Sequence, residues 1–236
     1  MAAKLISLAL GFLLGLVHFY SEKFKPEQGP KHYRIFSFAA GISIAYLFLD
    51  LLPHTYEAAT HLKNSVFIFL LLGFALIHLF HKYIFQHTEE EKPVLTKLHT
   101  LHSVFFFLYY FMVGLVLCEK VHASYLEAVL FMIPVTLHAG LSTASLSEIH
   151  GEYREVFWIK LTLSLSPLLG VLFSFLFPPP QVITNILVSF IAGTLLYIFV
   201  KEFLPEERKG QPVFFVIGIT IFFIFYVLIN VFNLNF

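Results

Sequence analysis

Residues 37–53 read SFAAGISIAYLFLDLLP, and residues 189–205 read SFIAGTLLYIFVKEFLP, at a constant offset of 152. Ser37/Ser189, Phe38/Phe190, Ala40/Ala192, Gly41/Gly193, Leu52/Leu204 and Pro53/Pro205 are identical, and Asp50/Glu202 keeps the carboxylate. The stretches that precede them also match: SLALGFLLGLV from Ser7 against TLSLSPLLGVL from Thr162, at an offset of 155. Shared hydrophobicity alone rarely produces two neighbouring matches in the same order, so the pattern reads as an internal duplication.

Both copies are too apolar for a water-soluble domain. Of 236 residues, 58% are apolar and 13% charged, and mean hydropathy is +0.81. A soluble domain carries about 25% charged residues, so this composition excludes a water-soluble enzyme. Crossing the hydrocarbon takes roughly 20 apolar residues. The charge-poor runs are Leu5 to Tyr20, Ile35 to Leu49, Asn64 to Phe85, Leu101 to Cys118, Tyr125 to Leu146, Phe157 to Phe177, Val182 to Val200 and Val213 to Phe232. They predict eight helical spans; the ten-residue alternation of a membrane barrel is absent from the sequence. The first run is followed by Tyr20-Ser21-Glu22-Lys23 with no small-x-small cleavage site, so it is expected to stay as span 1.

Lys+Arg and Asp+Glu both total 15, which leaves no net field to attract nucleic acid. The distribution of the cations is uneven. Twelve (Lys23, Lys25, Lys31, Arg34, Lys82, Lys92, Lys97, Arg154, Lys160, Lys201, Arg208 and Lys209) fall on the side of loops 1–2, 3–4, 5–6 and 7–8, and three (Lys4, Lys63 and Lys120) on the other. The positive-inside rule then expects both termini on the non-cytoplasmic side of an inner or plasma membrane. The single Cys118 excludes an internal disulfide and a thiolate metal cluster.

Spans 2 and 7 are five apart and cross in opposite directions, so the duplication is expected to be inverted. Two halves of opposite topology can exchange conformations around a midplane site, a device that recurs in secondary transporters. The division is spans 1–3 at 1–85, spans 4–5 at 99–147 and spans 6–8 at 156–236, within one transmembrane domain. Spans 4 and 5 stand outside the repeat and are candidates for the central pathway. Gly11, Gly15, Gly41, Gly170 and Gly193 allow close helix contacts.

This three-two-three plan resembles the Zrt/Irt-like (ZIP) family of divalent metal transporters. The FAAG…FLDLLPH stretch ending at His54 and the AGTLLYIFVKEFLPE stretch ending at Glu206 are similar to that family's second and seventh helices, and SPLLG from Ser166 to its sixth. The resemblance covers nearly the whole chain in order and spacing. It implies a homodimeric all-α bundle in the lipid bilayer that moves zinc, iron or manganese toward the cytoplasm by alternating access, with the metal as substrate and no resident cofactor. The family's H-N-x-x-D-G and H-E-x-x-H-E motifs on spans 4 and 5 are depleted here. Tyr109 and Val113 stand at the His and Asp positions of the first, and His138-Ala139-Gly140-Leu141-Ser142-Thr143 is the segment of matching spacing in the second. At most one family ligand, His138, survives, and pinning Pro134 to the family's proline would leave none. One imidazole with a hydroxyl at i+4 is a poor zinc site. A transported ion would keep water, or use Tyr109 and Met112 as weak partners.

The candidate transport pathway is therefore Tyr109, Met112, His138, Ser142 and Ser145. His138 is far from any charge in the sequence, so it serves either substrate or proton handling or an interhelical hydrogen bond. Asp50, His54, Glu57 and His61 follow one another at helical spacing and share one face if the helix continues past Pro53. They read either as cation capture at the outer mouth or as an ordinary polar helix end. Glu202 and Glu206 are their inverted counterparts at the cytoplasmic end of span 7. His81, His87, His99 and His102, with His78 and three glutamates, surround loop 3–4 as a weak metal-binding or simply solvated loop. His78-x-x-His81 and His99-x-x-His102 are too few for a di-iron oxidase site, and no triad, phosphate loop or mid-membrane carboxylate dyad suggests other chemistry, so no enzyme is expected. The alternative to transport is a transport-inactive scaffold acting as a metal sensor or membrane interaction protein.

Overall fold

The structure is a computed structural model that describes residues 1–21, 30–86, 92–150, 157–203 and 210–231; side chains at 30, 61, 84–85, 92–102, 142–150, 202–203 and 231 are outside the description. Among the described residues the chain is all-helical. In order come α1 (Ala2–Tyr20), α2 (Pro30–Tyr46), a π-helical turn (Leu47–Leu51), α3 (Leu52–Leu62), α4 (Ser65–Gln86), α5 (Lys92–Ala123), α6 (Tyr125–His150), α7 (Phe157–Leu176), α8 (Gln181–Ile198), a second π-helical turn (Phe199–Phe203) and α9 (Pro212–Val231). Seven of the described helical segments are long and apolar enough to cross a membrane, and Tyr125–Leu141 in α6 is a shorter apolar stretch. The chain is an integral membrane protein.

Element boundaries differ from the hydropathy runs in an informative way. The second run, expected over 35–49, continues unbroken to Thr60 as one apolar segment of 30 residues. The fourth, expected over 101–118, lies inside the 32-residue α5. Charged and polar residues end a hydrophobic run without ending a helix, because their side chains reach the interface while the backbone ladder carries on. Helices stop where the backbone is forced to: the run Pro178-Pro179-Pro180 separates α7 from α8, with Pro180 extended at φ −63°, ψ 152° as the N-cap.

The two π-helical turns occupy 47–51 and 199–203, which are the same positions at the repeat offset of 152. Proline supplies the physical reason. Pro53 lacks an N–H and its ring would press on the carbonyl of Leu49, four residues earlier. A widened turn just ahead of it takes up that conflict and lets α3 continue. Pro205 follows the second turn at the same spacing in the sequence.

Packing is set by glycines. A Cβ on Gly41 of α2 would collide with the Phe215 carbonyl oxygen of α9, and one on Gly218 of α9 with the Phe38 carbonyl. In α8 and α4, a Cβ on Gly193 would strike the Leu70 carbonyl, and one on Gly73 the Phe190 carbonyl. Gly41 and Gly193, like Phe38 and Phe190, stand 152 residues apart, and the contact of α2 with α9 has the same construction as that of α8 with α4. Gly114 of α5 and Gly170 of α7 make a third close approach, through the Pro167 and Phe111 carbonyls. Burial then sorts the helices. About two thirds of the apolar window within 31–60 is inside the protein (67%), against 11% for α9 and 22% for α4. α2, α5, α6 and α8 form the interior, and α9, α4 and α1 present Leu, Ile and Phe outward, as a bilayer requires.

Candidate functional site

The interior contains a discontinuous column of polar and aromatic groups. Its midpoint is His138 on α6, fully buried. The imidazole is stacked against Phe106 and Tyr110 of α5 at 6.4 Å each and meets Tyr109 edge-on at 6.2 Å. Of the sequence-predicted pathway residues, the fold therefore brings Tyr109 and His138 together. Met112 is half-buried and packs on the apolar core, and the Ser142 and Ser145 side chains lie outside the described residues. Among the described residues, the groups packed around the His138 ring are aromatic.

On the side of the α5–α6 connection, the column ends in a charged cluster. Asp50 lies in the first π-helical turn and is 5% exposed. His54 Nδ1 is 2.9 Å from the Asp50 carbonyl oxygen, and since a carbonyl only accepts, Nδ1 carries the hydrogen. The Asp50 carboxylate is 3.8 Å from the same nitrogen. The other ring nitrogen, Nε2, is 3.9 Å from Glu127 Oε2 in the first turn of α6, and Lys120 Nζ of α5 sits 3.3 Å from that oxygen. Lys120 is buried, at 4% exposure. Glu57 is exposed on α3 and acts on Asp50 from a distance; the His61 side chain lies outside the described residues. Tyr46, fully buried, stands beside the cluster with its hydroxyl near the Asp50 carboxylate. Its ring meets Phe131 and Phe222 at 6.4 and 6.0 Å.

At the opposite end, His18 of α1 is buried, with Nδ1 3.3 Å from Ser164 Oγ of α7 and its ring 5.0 Å edge-on to Tyr110. His81 is buried on α4 and, with His78, stands edge-on to Tyr197 of α8 at 5.4 Å. It belongs to the helical interior rather than to a solvated loop. His87 and Glu206 lie outside the described residues, as do the side chains of His99, His102 and Glu202. Among the described residues no three His, Cys, Asp or Glu side chains are grouped to hold a metal ion.

No family model, curated protein or solved structure matches this chain.

Sequence reasoning overlooked Lys120, Glu127 and His18. Lys120 entered it only as a charge for the topology census. Its position seven residues before Glu127, across the α5–α6 connection, was the available signal. His18 sits inside an apolar run, LGLVHFY, where an ionisable residue is costly and marks a functional candidate by default. Its side-chain partner, Ser164, lies 146 residues away, so spacing could not have paired the two.

Proposed function

We propose that this chain is a secondary transporter of the ZIP-like plan, with eight spans in a three-two-three inverted repeat, that moves a divalent cation (zinc, iron or manganese) toward the cytoplasm by alternating access. The observation that carries the reading is the duplicated device: a π-helical turn with a carboxylate at the same position in each repeat, and a glycine-to-carbonyl contact in α2–α9 that recurs in α8–α4. Two equivalent half-structures of this kind are what exchange of inward- and outward-open states requires. Tyr125–Leu141 counts as the remaining span in this reading, since α6 runs on to His150. The twelve-to-three asymmetry of Lys and Arg supports non-cytoplasmic termini, with the Asp50 cluster at the outer mouth and His18 and His81 toward the cytoplasm.

The aromatic surroundings of His138 favour a second reading, a transport-inactive scaffold that senses metal or binds a membrane partner. The two are separated by flux. Proteoliposomes loaded with a divalent-sensitive dye are expected to show saturable uptake of zinc, manganese or iron(II), reduced at least ten-fold by His138→Phe, which keeps an aromatic ring in the stack. Absence of saturable flux for all three ions sinks the transport reading; flux unchanged by His138→Phe removes His138 from the pathway.

A further inference from the structure

We infer that Lys120 is a tethered cation occupying a divalent-cation site made by His54 and Glu127, and that an incoming ion binds by displacing it. His54 is already in the ligand-ready state. Metal-binding histidines donate one ring N–H to a backbone carbonyl or a carboxylate, which fixes the tautomer and turns the other nitrogen's lone pair toward the metal. Here Nδ1–H donates to the Asp50 carbonyl at 2.9 Å, with the Asp50 carboxylate at 3.8 Å on the same side. Asp50 is thus a positioning residue and not a ligand.

The remaining nitrogen, Nε2, faces Glu127 Oε2 at 3.9 Å. In the neutral tautomer both atoms are acceptors, and a cation beside them offsets their repulsion. The Lys120 ammonium supplies it, 3.3 Å from the Glu127 oxygen. Bonds of about 2.0–2.2 Å from zinc to N and O place neighbouring ligands roughly 3.0–3.6 Å apart, so His54 and Glu127, now 3.9 Å apart, need to close by less than about 1 Å. Water completes the shell, since the further carboxylate at His54, that of Asp50, lies on the Nδ1 side of the ring. His54 and Glu127 are each about a third exposed (35%), so the site opens to solvent, whereas Lys120 reaches it from a buried stem. The charges facing the site are Lys120 from α5, Glu127 from α6, Asp50 from the π-helical turn and Glu57 from α3.

The inference rests on the transport reading only for where the ion goes next; binding is measured without flux, so either can fail alone. Zinc and manganese are titrated into the purified full chain in detergent by calorimetry, with wild type, Lys120→Met, and Lys120→Met combined with Glu127→Gln. The expected result is at least ten-fold tighter binding in Lys120→Met, abolished in the double variant. Equal affinity in wild type and Lys120→Met, or tight binding that survives loss of Glu127, overturns the proposal. A second measurement needs no variant: lysine-directed labelling of the wild-type protein, read by mass spectrometry. Labelling of Lys120 is expected to rise several-fold with zinc or manganese while that of exposed Lys63 stays constant. An unchanged Lys120 signal at saturating metal refutes displacement.

Discussion

Replacing Gly193 by Ala adds one methyl group to α8 where it meets α4. The Cβ would collide with the Leu70 carbonyl oxygen, and the Leu70 carbonyl carbon and Phe74 nitrogen also stand in its way. These are backbone atoms of a helix, so no rotamer change can clear the space; the helices must separate by on the order of 1 Å. Overpacking of this kind costs roughly 1–3 kcal/mol. Ala gains about 1 kcal/mol over Gly in helix propensity. Because the obstacle is rigid, the upper part of the range applies and the net loss is about 2 kcal/mol. For a chain of this size that lowers Tm by roughly 4–8 °C. Gly41→Ala, which meets the Phe215 carbonyl and the Ile219 nitrogen of α9, is expected to cost a similar amount. Gly140→Ala is the control: its Cβ would meet only Val17 Cγ1 at 3.5 Å, an ordinary contact, so the propensity gain is left over and Tm rises or holds. Thermal unfolding of the three variants in one detergent, followed by circular dichroism, is the assay. If Gly193→Ala is as stable as Gly140→Ala, the close α4–α8 contact is wrong; if Gly193→Ala and Gly41→Ala differ by more than 10 °C, the two contacts are not equivalent.

Lys63, the C-cap of α3, holds φ 55° with ψ −151°, a region costly for a side chain and open to glycine. Lys63→Gly is expected to stabilise by about 1 kcal/mol, a rise of roughly 2–4 °C in Tm; a fall in Tm would mean that this backbone conformation is not adopted. Orientation is tested in a Cys118→Ala background with Asn64→Cys or Lys201→Cys, both exposed positions. An impermeant maleimide added to right-side-out vesicles is expected to label Cys at 64 and spare Cys at 201, and the reverse pattern would invert the topology.

Much of the fold was legible because hydropathy and repetition are properties of single residues and fixed offsets. The apolar runs announced most of the helices, and Gly41/Gly193 announced two of the close contacts. The site was less legible, because its members come from different helices and meet only after packing. Asp50 and His54 share a helix and were visible as a pair. Their partners Lys120 and Glu127 arrive from α5 and α6, and no periodicity links residue 54 to residue 127. Helical spacing also treated Asp50, His54 and Glu57 as one stripe, whereas Asp50 is buried in a π-helical turn and Glu57 faces solvent. A four-residue period cannot anticipate a turn that is wider than an α-helix.

That wider turn links the sequence to the chemistry. The widened ladder shows in the Leu52 N–H bonding the Leu47 carbonyl, five residues back, and the Asp50 carbonyl lies in the same turn. The donor found there is the His54 imidazole, which the bond locks with its hydrogen on Nδ1. Pro53 stands two residues past the turn, where its ring conflict at Leu49 is taken up, so it is the residue through which a link between the turn and the His54 tautomer is tested. Pro53→Ala removes the ring clash at Leu49 and lets the segment return to α-helix, where the propensity gain is up to about 3 kcal/mol. The Asp50 carbonyl then takes a backbone bond as well, and the bond that keeps the His54 hydrogen on Nδ1 is expected to weaken. Combined with Lys120→Met, the expected result is a more heat-stable protein with zinc affinity at least five-fold weaker than Lys120→Met alone. Unchanged zinc affinity in that double variant would separate the π-helical turn from the site and leave Pro53 with a structural role only.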